Sequence, residues 1–412
     1  SASSAWLWEA WDLRQEIGLR IDIRPQTQPQ HCRISFGFHH SATDGIGGFT
    51  FVSDVLRAYA RACDDASLQR LKPRSLDGLW VRDGLAASPP SARQASTSPP
   101  ASRSPSADES QPAVLQHVVA DTHTPVAPAP NIPVPNIPAP APAGGLSPKA
   151  IFAEVRRMLL TRPKPIDAYM QRSEPATYRE PLAEEALDED LLRGLRIVAS
   201  ERDCQLNDVC ASVLFQTICD WNKQSSRVHR ITVPVSLRSY AHRHMPAANC
   251  MSYIFLQRTR QECQSLDLLM SGIHWEVHAA RHEGWSRIFI LGLGWAECLP
   301  GLLRFIMRPS KCMSSLVLSD VGDVMRRMMR DFPRESGKIR IGGLRLERVS
   351  GCPPVRPKTR LAVGTVCYSG KMFLAAAGCP KTMGKAGTAA FLESYVERLR
   401  KLASQPHGGS PA

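Results

Sequence analysis

Residues 34–56 read ISFGFHHSATDGIGGFTFVSDVL. Up to Phe38 apolar residues alternate with small or polar ones, the period-two signature of a strand with one covered face. Two adjacent histidines, His39 and His40, stand at the strand end, followed by a three-residue spacer and the pair Asp44, Gly45. Beyond them FTFVSDVLRAYARA, residues 49–62, carries apolar residues at helical spacing and is expected to pack back on the strand as a helix. Upstream, IGLRIDIR over 17–24 alternates in the same way, and the turn residues QTQPQ join it to the strand before the histidines. The two strands therefore read as a hairpin. Alternation sends His39 and His40 to opposite faces, so only one of them can enter a given cleft. An imidazole, with a free pKa of about 6.5, is the natural base for taking a proton from a hydroxyl or amine at neutral pH.

The whole chain has 412 residues, enough for two domains that each bury a core. Hydrophobic residues make up 43% and charged residues 22%, so most of the chain is expected to fold in water. Its formal net charge of +13 favours anionic partners: a membrane surface, nucleic acid, or a phosphate-bearing substrate. There is no run of five or six consecutive Lys/Arg and no aromatic-interleaved basic motif, so nucleic acid is set aside. The 12 cysteines include no C-x-x-C pair, and Cys219, Cys312, Cys367 and Cys379 lie in or beside apolar runs. They read as buried free thiols, which fits a reducing cytoplasm.

From 86 to 149 the composition shifts to Pro, Ala and Ser, with runs such as NIPVPNIPAPAPAGG. Such a segment cannot build a core and is expected to be an extended, disordered linker. After it, LDEDLLRGLRIVASERD and NDVCASVLFQTICDWNKQ read as two helices, with Asn207 as the N-cap of the second. ITVPVSL and NCMSYIFLQRT read as strands, and a helix is expected over 262–283. The apolar stretch 287–307 approaches spanning length, but Glu297, Pro300 and Arg304 interrupt it. A charge near a span's centre costs about 2.5 to 3.5 kcal/mol, so helices packed on a protein core are expected there, with peripheral membrane contact allowed. MSSLVLSDVGD reads as a buried strand. KIRIGGLRLERVS, TRLAVGTVCYSG and KMFLAAAG read as a meander, and KAGTAAFLESYVERLRKL as a closing helix. Strands and helices mix without a regular strand-helix-strand rhythm, which makes the class a mixed α/β fold.

The run 34–56 resembles, over its whole length, the strand, HHxxxDG motif and following helix of an acyltransferase superfamily. That superfamily contains chloramphenicol acetyltransferase, peptide-synthetase condensation domains and wax ester synthases. VPVSLR at 233–238 and AANCMS around Asn249 resemble its Pro-Val-x-x-Arg and Asn-containing stretches. LVLSDVGD at 316–323 resembles its Ser-Asn-x-Gly stretch, with Asp320 where asparagine is usual.

The resemblance implies a chloramphenicol acetyltransferase-like fold of mixed sheets with flanking helices in two lobes. Only 38 residues precede His39, so the N-terminal lobe is expected to be incomplete. The implied parts are a lobe remnant at 1–85, the linker at 86–149, an acyltransferase-like lobe at 150–405 and a disordered tail at 406–412. The implied reaction moves an acyl group from a coenzyme A or carrier-protein phosphopantetheine thioester to an alcohol or amine. It uses no metal, no redox group and no tightly bound cofactor, and an acyl carrier protein is an implied partner. His40 would be the general base, and Ser319 would donate a hydrogen bond to the tetrahedral oxyanion. Asp44 would pair with Arg238 through a two-toothed contact that fixes the motif loop, with Gly45 and Asn249 as structural residues of the site.

Two rival functions stay open: a non-catalytic condensation-like binding module, and a membrane-surface or anion-binding protein using the net charge and the stretch near Trp295. His39 reads as structural. His274, His278 and His282 stand four apart on one helix face, a spacing that suits zinc or nickel. No nearby motif supplies a second helix of ligands, so a solvated face is the default.

Overall fold

Alternation along the first strands produces an antiparallel hairpin of β1 (Leu19–Pro25) and β2 (Cys32–Phe38), in register from Leu19 opposite Phe38 to Pro25 opposite Cys32. The register puts Leu19, Ile21 and Ile23 on one face with Phe38, Phe36 and Ile34. The computed structural model describes residues 11–63, 161–169, 182–301 and 312–405, less 29, 224, 226, 243, 283, 299 and 356–358, together with 74, 79, 152, 156, 157 and 160. The expected linker at 86–149 and tail at 406–412 lie outside the described residues.

Helix α1 (Gly45–Ala62) starts four residues earlier than its apolar pattern announces, because Asp44 caps it by accepting the Gly47 N–H at 2.7 Å. One side of α1 meets the hairpin, where the Phe51 ring stands edge-on to Phe38 and Phe36 at 5.6 and 6.3 Å. Its other side sets Ile46, Phe49, Val52 and Leu56 against a buried cluster with Val321, Met325, Met329, Phe332 and Ile341. Ser53 Oγ donates to the Met328 carbonyl at 2.9 Å, so α1 ties the hairpin to the later part of the chain.

That later part is built on a six-stranded mixed sheet in the order β3-β11-β10-β6-β4-β5. Its strands are β3 (Leu182–Leu187), β4 (His229–Ser236), β5 (Met251–Arg258), β6 (Leu316–Asp323), β10 (Leu361–Tyr368) and β11 (Lys371–Gly378). β6 runs parallel to both its neighbours, β4 and β10, whereas the other pairs are antiparallel. Every residue of β10 is buried, which explains why LAVGTVCY is apolar on both faces rather than alternating. The expected meander is corrected in one respect. β10 and β11 do form a hairpin, but KIRIGGLRLERVS belongs to a separate small sheet of β7 (Arg334–Glu335), β8 (Lys338–Ile341) and β9 (Leu344–Arg345).

Among the described residues the sheets are flanked by the helices α2 (Glu189–Glu201), α3 (Leu206–Trp221), α4 (Leu266–His282), α5 (Ile288–Cys298) and α7 (Gly384–Ala403) and the short α6 (Val324–Arg327). The main core joins α2, α3 and α7 to the sheet through Leu195, Phe215, Phe391, Leu318, Val363 and Leu374. The N-cap of α3 is Gln205, not Asn207. Asp208 takes the Gln205 N–H at 2.9 Å, and that closure starts the helix two residues before Asn207 could cap it. Helix α4 also begins later than 262, because Glu262 turns back to accept from the Thr259 N–H and hydroxyl at 2.6 and 2.7 Å.

Of the apolar stretch 287–307, α5 is described and residues 302–307 are not. Among the described residues no helix is long and apolar enough to cross a membrane. All 12 cysteines are free. Cys219 and Cys367 are buried as expected, whereas Cys312 and Cys379 are half-exposed. Burial pushes the Cys367 thiol up to about 12. Cys219 goes the other way, drawn down chiefly by the neighbouring Cys263 thiol, with His229 and Arg260 adding to the effect.

Candidate active site

The motif histidines lie just beyond the strand rather than on it, since β2 ends at Phe38 and a turn closed by the Ala42 N–H on the His39 carbonyl (2.9 Å) follows. His39 looks toward the start of the hairpin. Its N–H reaches the Gly18 carbonyl at 2.9 Å, and its ring meets Trp11 edge-on at 6.0 Å. Its Nδ1 accepts the Ser41 N–H at 3.2 Å and lies 2.7 Å from Ser41 Oγ. His40 is held differently. Its carbonyl accepts from Asn249 Nδ2 at 2.7 Å, while no described residue hydrogen-bonds its half-buried ring.

Asp44 fastens this turn to the connection between β4 and β5. Its side chain is 3% exposed and that of Arg238 15%, with Nη1 donating to Oδ2 at 2.7 Å. The two-toothed contact expected from the resemblance is not what forms. Oδ1 is already engaged by the Gly47 N–H that caps α1, so the guanidinium divides itself, and Nη2 donates instead to the Ala248 carbonyl at 2.7 Å. Oδ2 also accepts the Cys250 N–H at 2.7 Å. One carboxylate thus takes three donors from three parts of the chain, an arrangement that fixes the turn in place.

Ala248 and Cys250 were not visible as site residues beforehand, because they act through backbone groups that leave no mark on side-chain identity. Their only sequence signal is position, on either side of Asn249. Thr43 joins them by donating to the Ala248 carbonyl at 3.4 Å. The approach is close enough to require Gly47: a methyl group there would stand 2.5 Å from the Ala248 carbonyl oxygen and 2.1 Å from Thr43 Oγ1. Gly47→Ala is therefore expected to destabilise the protein by about 1 to 3 kcal/mol, as overpacking does. Urea unfolding measures this, and an unchanged midpoint would mean that the contact between the turn and Ala248 yields freely.

Ser319, on β6, lies next to the motif: a methyl group on Gly45 would be 4.0 Å from its Oγ and 3.6 Å from Val321 Cγ2. The Ser319 hydroxyl makes no hydrogen bond among the described residues. Asp320, the departure from the usual asparagine, points to the other face of the strand. Its Oδ1 accepts from Thr365 Oγ1 at 2.8 Å and from the Gly322 N–H at 3.1 Å, where the pairing of β6 with β10 shifts register. The structure thus brings His40, Asp44, Gly45, Arg238, Asn249 and Ser319 to one place. It does not bring the α4 histidines there.

His274 is not merely part of a solvated face, because its Nδ1 lies 2.7 Å from Asp208 Oδ2 on α3. The ring of His278 is 6.2 Å away, centroid to centroid, and the side chain of His282 lies outside the described ones.

No protein-family profile and no curated protein matches the chain. Solved structures do. The first condensation domain of the CDA synthetase superposes with a TM-score of 0.56 at 14% identity, covering 94% of this chain and 68% of that one. The fold is that of a condensation domain. A mutant starter condensation domain of rhizomide synthetase in complex with C8-CoA matches this chain with a TM-score of 0.55 at 14% identity, over 97% of this chain and 74% of that one. Polyketide synthase associated protein 5 from Mycobacterium tuberculosis matches with a TM-score of 0.51 at 13% identity, over 94% and 77%.

Proposed function

We propose that this condensation-type chain is an acyltransferase that moves an acyl group from a coenzyme A or carrier-protein thioester to an alcohol or amine. The observation that carries the reading is the way the His40 turn is fastened. Asp44, Arg238 and Asn249 hold its backbone in place, while the His40 ring is left without a hydrogen bond among the described residues. A base kept in position but not engaged is ready for a substrate proton.

In the proposed step His40 takes the proton of the acceptor hydroxyl or amine, and the freed electron pair attacks the thioester carbonyl carbon. The tetrahedral oxyanion receives a hydrogen bond from Ser319, whose hydroxyl stands beside the motif glycine. Collapse breaks the carbon–sulfur bond, and the departing thiolate takes the proton from the imidazolium. No covalent enzyme intermediate is formed. The solved neighbour in complex with C8-CoA supports a coenzyme A-type donor, and a net charge of +13 suits any phosphate-bearing arm.

The test follows free thiol released from a panel of acyl-CoA and acyl-pantetheine thioesters with alcohol and amine acceptors. Acceptor-dependent release is expected. A protein that binds an acyl thioester yet releases no thiol with any acceptor would replace this reading with that of a binding module. Ser319→Ala is expected to lower turnover about 100-fold, near the low end for loss of an oxyanion donor. Turnover equal to the parent's would remove Ser319 from the mechanism.

A further inference from the structure

Away from that site, the contact between α3 and α4 carries a polar arrangement that the acyl-transfer chemistry does not use. Asp208 is 1% exposed. Its Oδ2 accepts the Gln205 N–H at 2.9 Å and lies 2.7 Å from His274 Nδ1, and its Oδ1 is buried with no hydrogen-bond partner among the described residues. Among those residues no lysine or arginine pairs with it. Arg281, the nearby cation on α4, donates to Gln205 Oε1 at 3.0 Å instead. A carboxylate this deep needs positive charge close by. Asp208 stands in the first turn of α3, where the helix N-terminus supplies part of that charge, and among the described residues the His274 imidazole is the side chain through which a metal ion on Nε2 would supply more.

A carboxylate on Nδ1–H is the outer arrangement that fixes a histidine's tautomer, orients its ring and makes Nε2 a stronger ligand. The His274 side chain is 33% exposed, and with Nδ1 turned to Asp208 its Nε2 is the nitrogen left to take an ion. His278 stands one turn further along the same face and is exposed. Its ring centroid is 6.2 Å from that of His274. Two imidazoles bound to one ion at about 2.0–2.1 Å per nitrogen bring their centroids to roughly 5 Å. A rotation of the exposed His278 side chain closes that difference.

We propose that His274 and His278 form a binding site for a divalent transition-metal ion of the zinc and nickel type, with Asp208 holding His274 from behind. Imidazole nitrogen suits these ions. Among the described residues no three His, Cys, Asp or Glu side chains gather to hold a metal, so water completes the coordination. The site is independent of the proposed acyl transfer, and its test does not depend on that activity.

The experiment titrates the full chain, without a histidine tag and freed of metal by a chelator, with Zn2+ in a calorimeter. Free cysteines also take zinc, so the difference between the parent and its variants is the measurement that decides. His278→Ala and His274→Ala are each expected to lose one bound ion per chain, and Asp208→Asn to weaken that ion at least about tenfold. Thermal unfolding of each variant in the absence of metal is followed alongside, so that a change of fold is told apart from the loss of a ligand. If His278→Ala keeps the parent's zinc stoichiometry and affinity, the proposal is overturned.

Discussion

Replacing His40 with alanine is expected to cut acyl transfer by about 100- to 10,000-fold, the range for removing a general base, while leaving the fold intact. The fold should survive because His40 is tied down by its carbonyl, which Asn249 holds whatever the side chain. Loss of the ring removes no hydrogen bond between described residues. His39→Ala should behave in the opposite way. It strips the Ser41 contact and the Trp11 edge contact, so it should act through stability rather than turnover. Comparing thermal unfolding and thiol release for the two variants separates the roles. Full activity of His40→Ala with an acceptor that the parent uses would place the base elsewhere.

Arg238→Ala is expected to destabilise the protein by about 3 to 5 kcal/mol, the cost of stranding one partner of a buried ion pair. The carboxylate left behind is 3% exposed and keeps only the Gly47 and Cys250 N–H donors, while the Ala248 carbonyl loses its guanidinium donor as well. Urea unfolding of parent and variant gives the difference. A loss under about 1 kcal/mol would mean that the pair behaves as an exposed one. Because Asp44 also caps α1, a large loss should come with fraying of that helix and a fall in turnover.

Much of this architecture could be read from residue order, and the exceptions have physical causes. The hairpin, the helices α2, α3 and α7 and the strands β4 to β6 follow from apolar periodicity, which burial on one or both faces enforces. The first turn of α1 did not show, since three of its first four residues are glycines, poor helix formers retained where the backbone passes close to Ala248 and Phe38. Strand β3 did not show either. LAEEAL has helix-forming residues, and only pairing with β11 makes it a strand. At the site, the pairing of Asp44 with Arg238 was accessible through motif resemblance. The division of the guanidinium between a carboxylate and a carbonyl was not, because it depends on which oxygen the helix cap has already taken. The tie between His274 and Asp208 was hidden for a simpler reason. It joins two helices whose relative placement no local pattern encodes.

The strand order of the main sheet has a consequence for how the protein is made. β3 spans Leu182–Leu187, yet the strand that hydrogen-bonds to it spans Lys371–Gly378. On a ribosome, which releases the chain from its N-terminal side, β3 emerges long before its neighbour and has to wait with its backbone donors facing water. The sheet cannot be finished piece by piece as synthesis proceeds. It closes only when β11 arrives and inserts between β10 and β3, a contact between segments remote in sequence and so slow to form. A premature stop codon at Lys371 would remove an interior strand together with α7, not the border of the sheet. The resulting fragment would carry two unpaired edges, at β3 and β10, and would be a substrate for chaperones and proteases rather than a shortened folded protein.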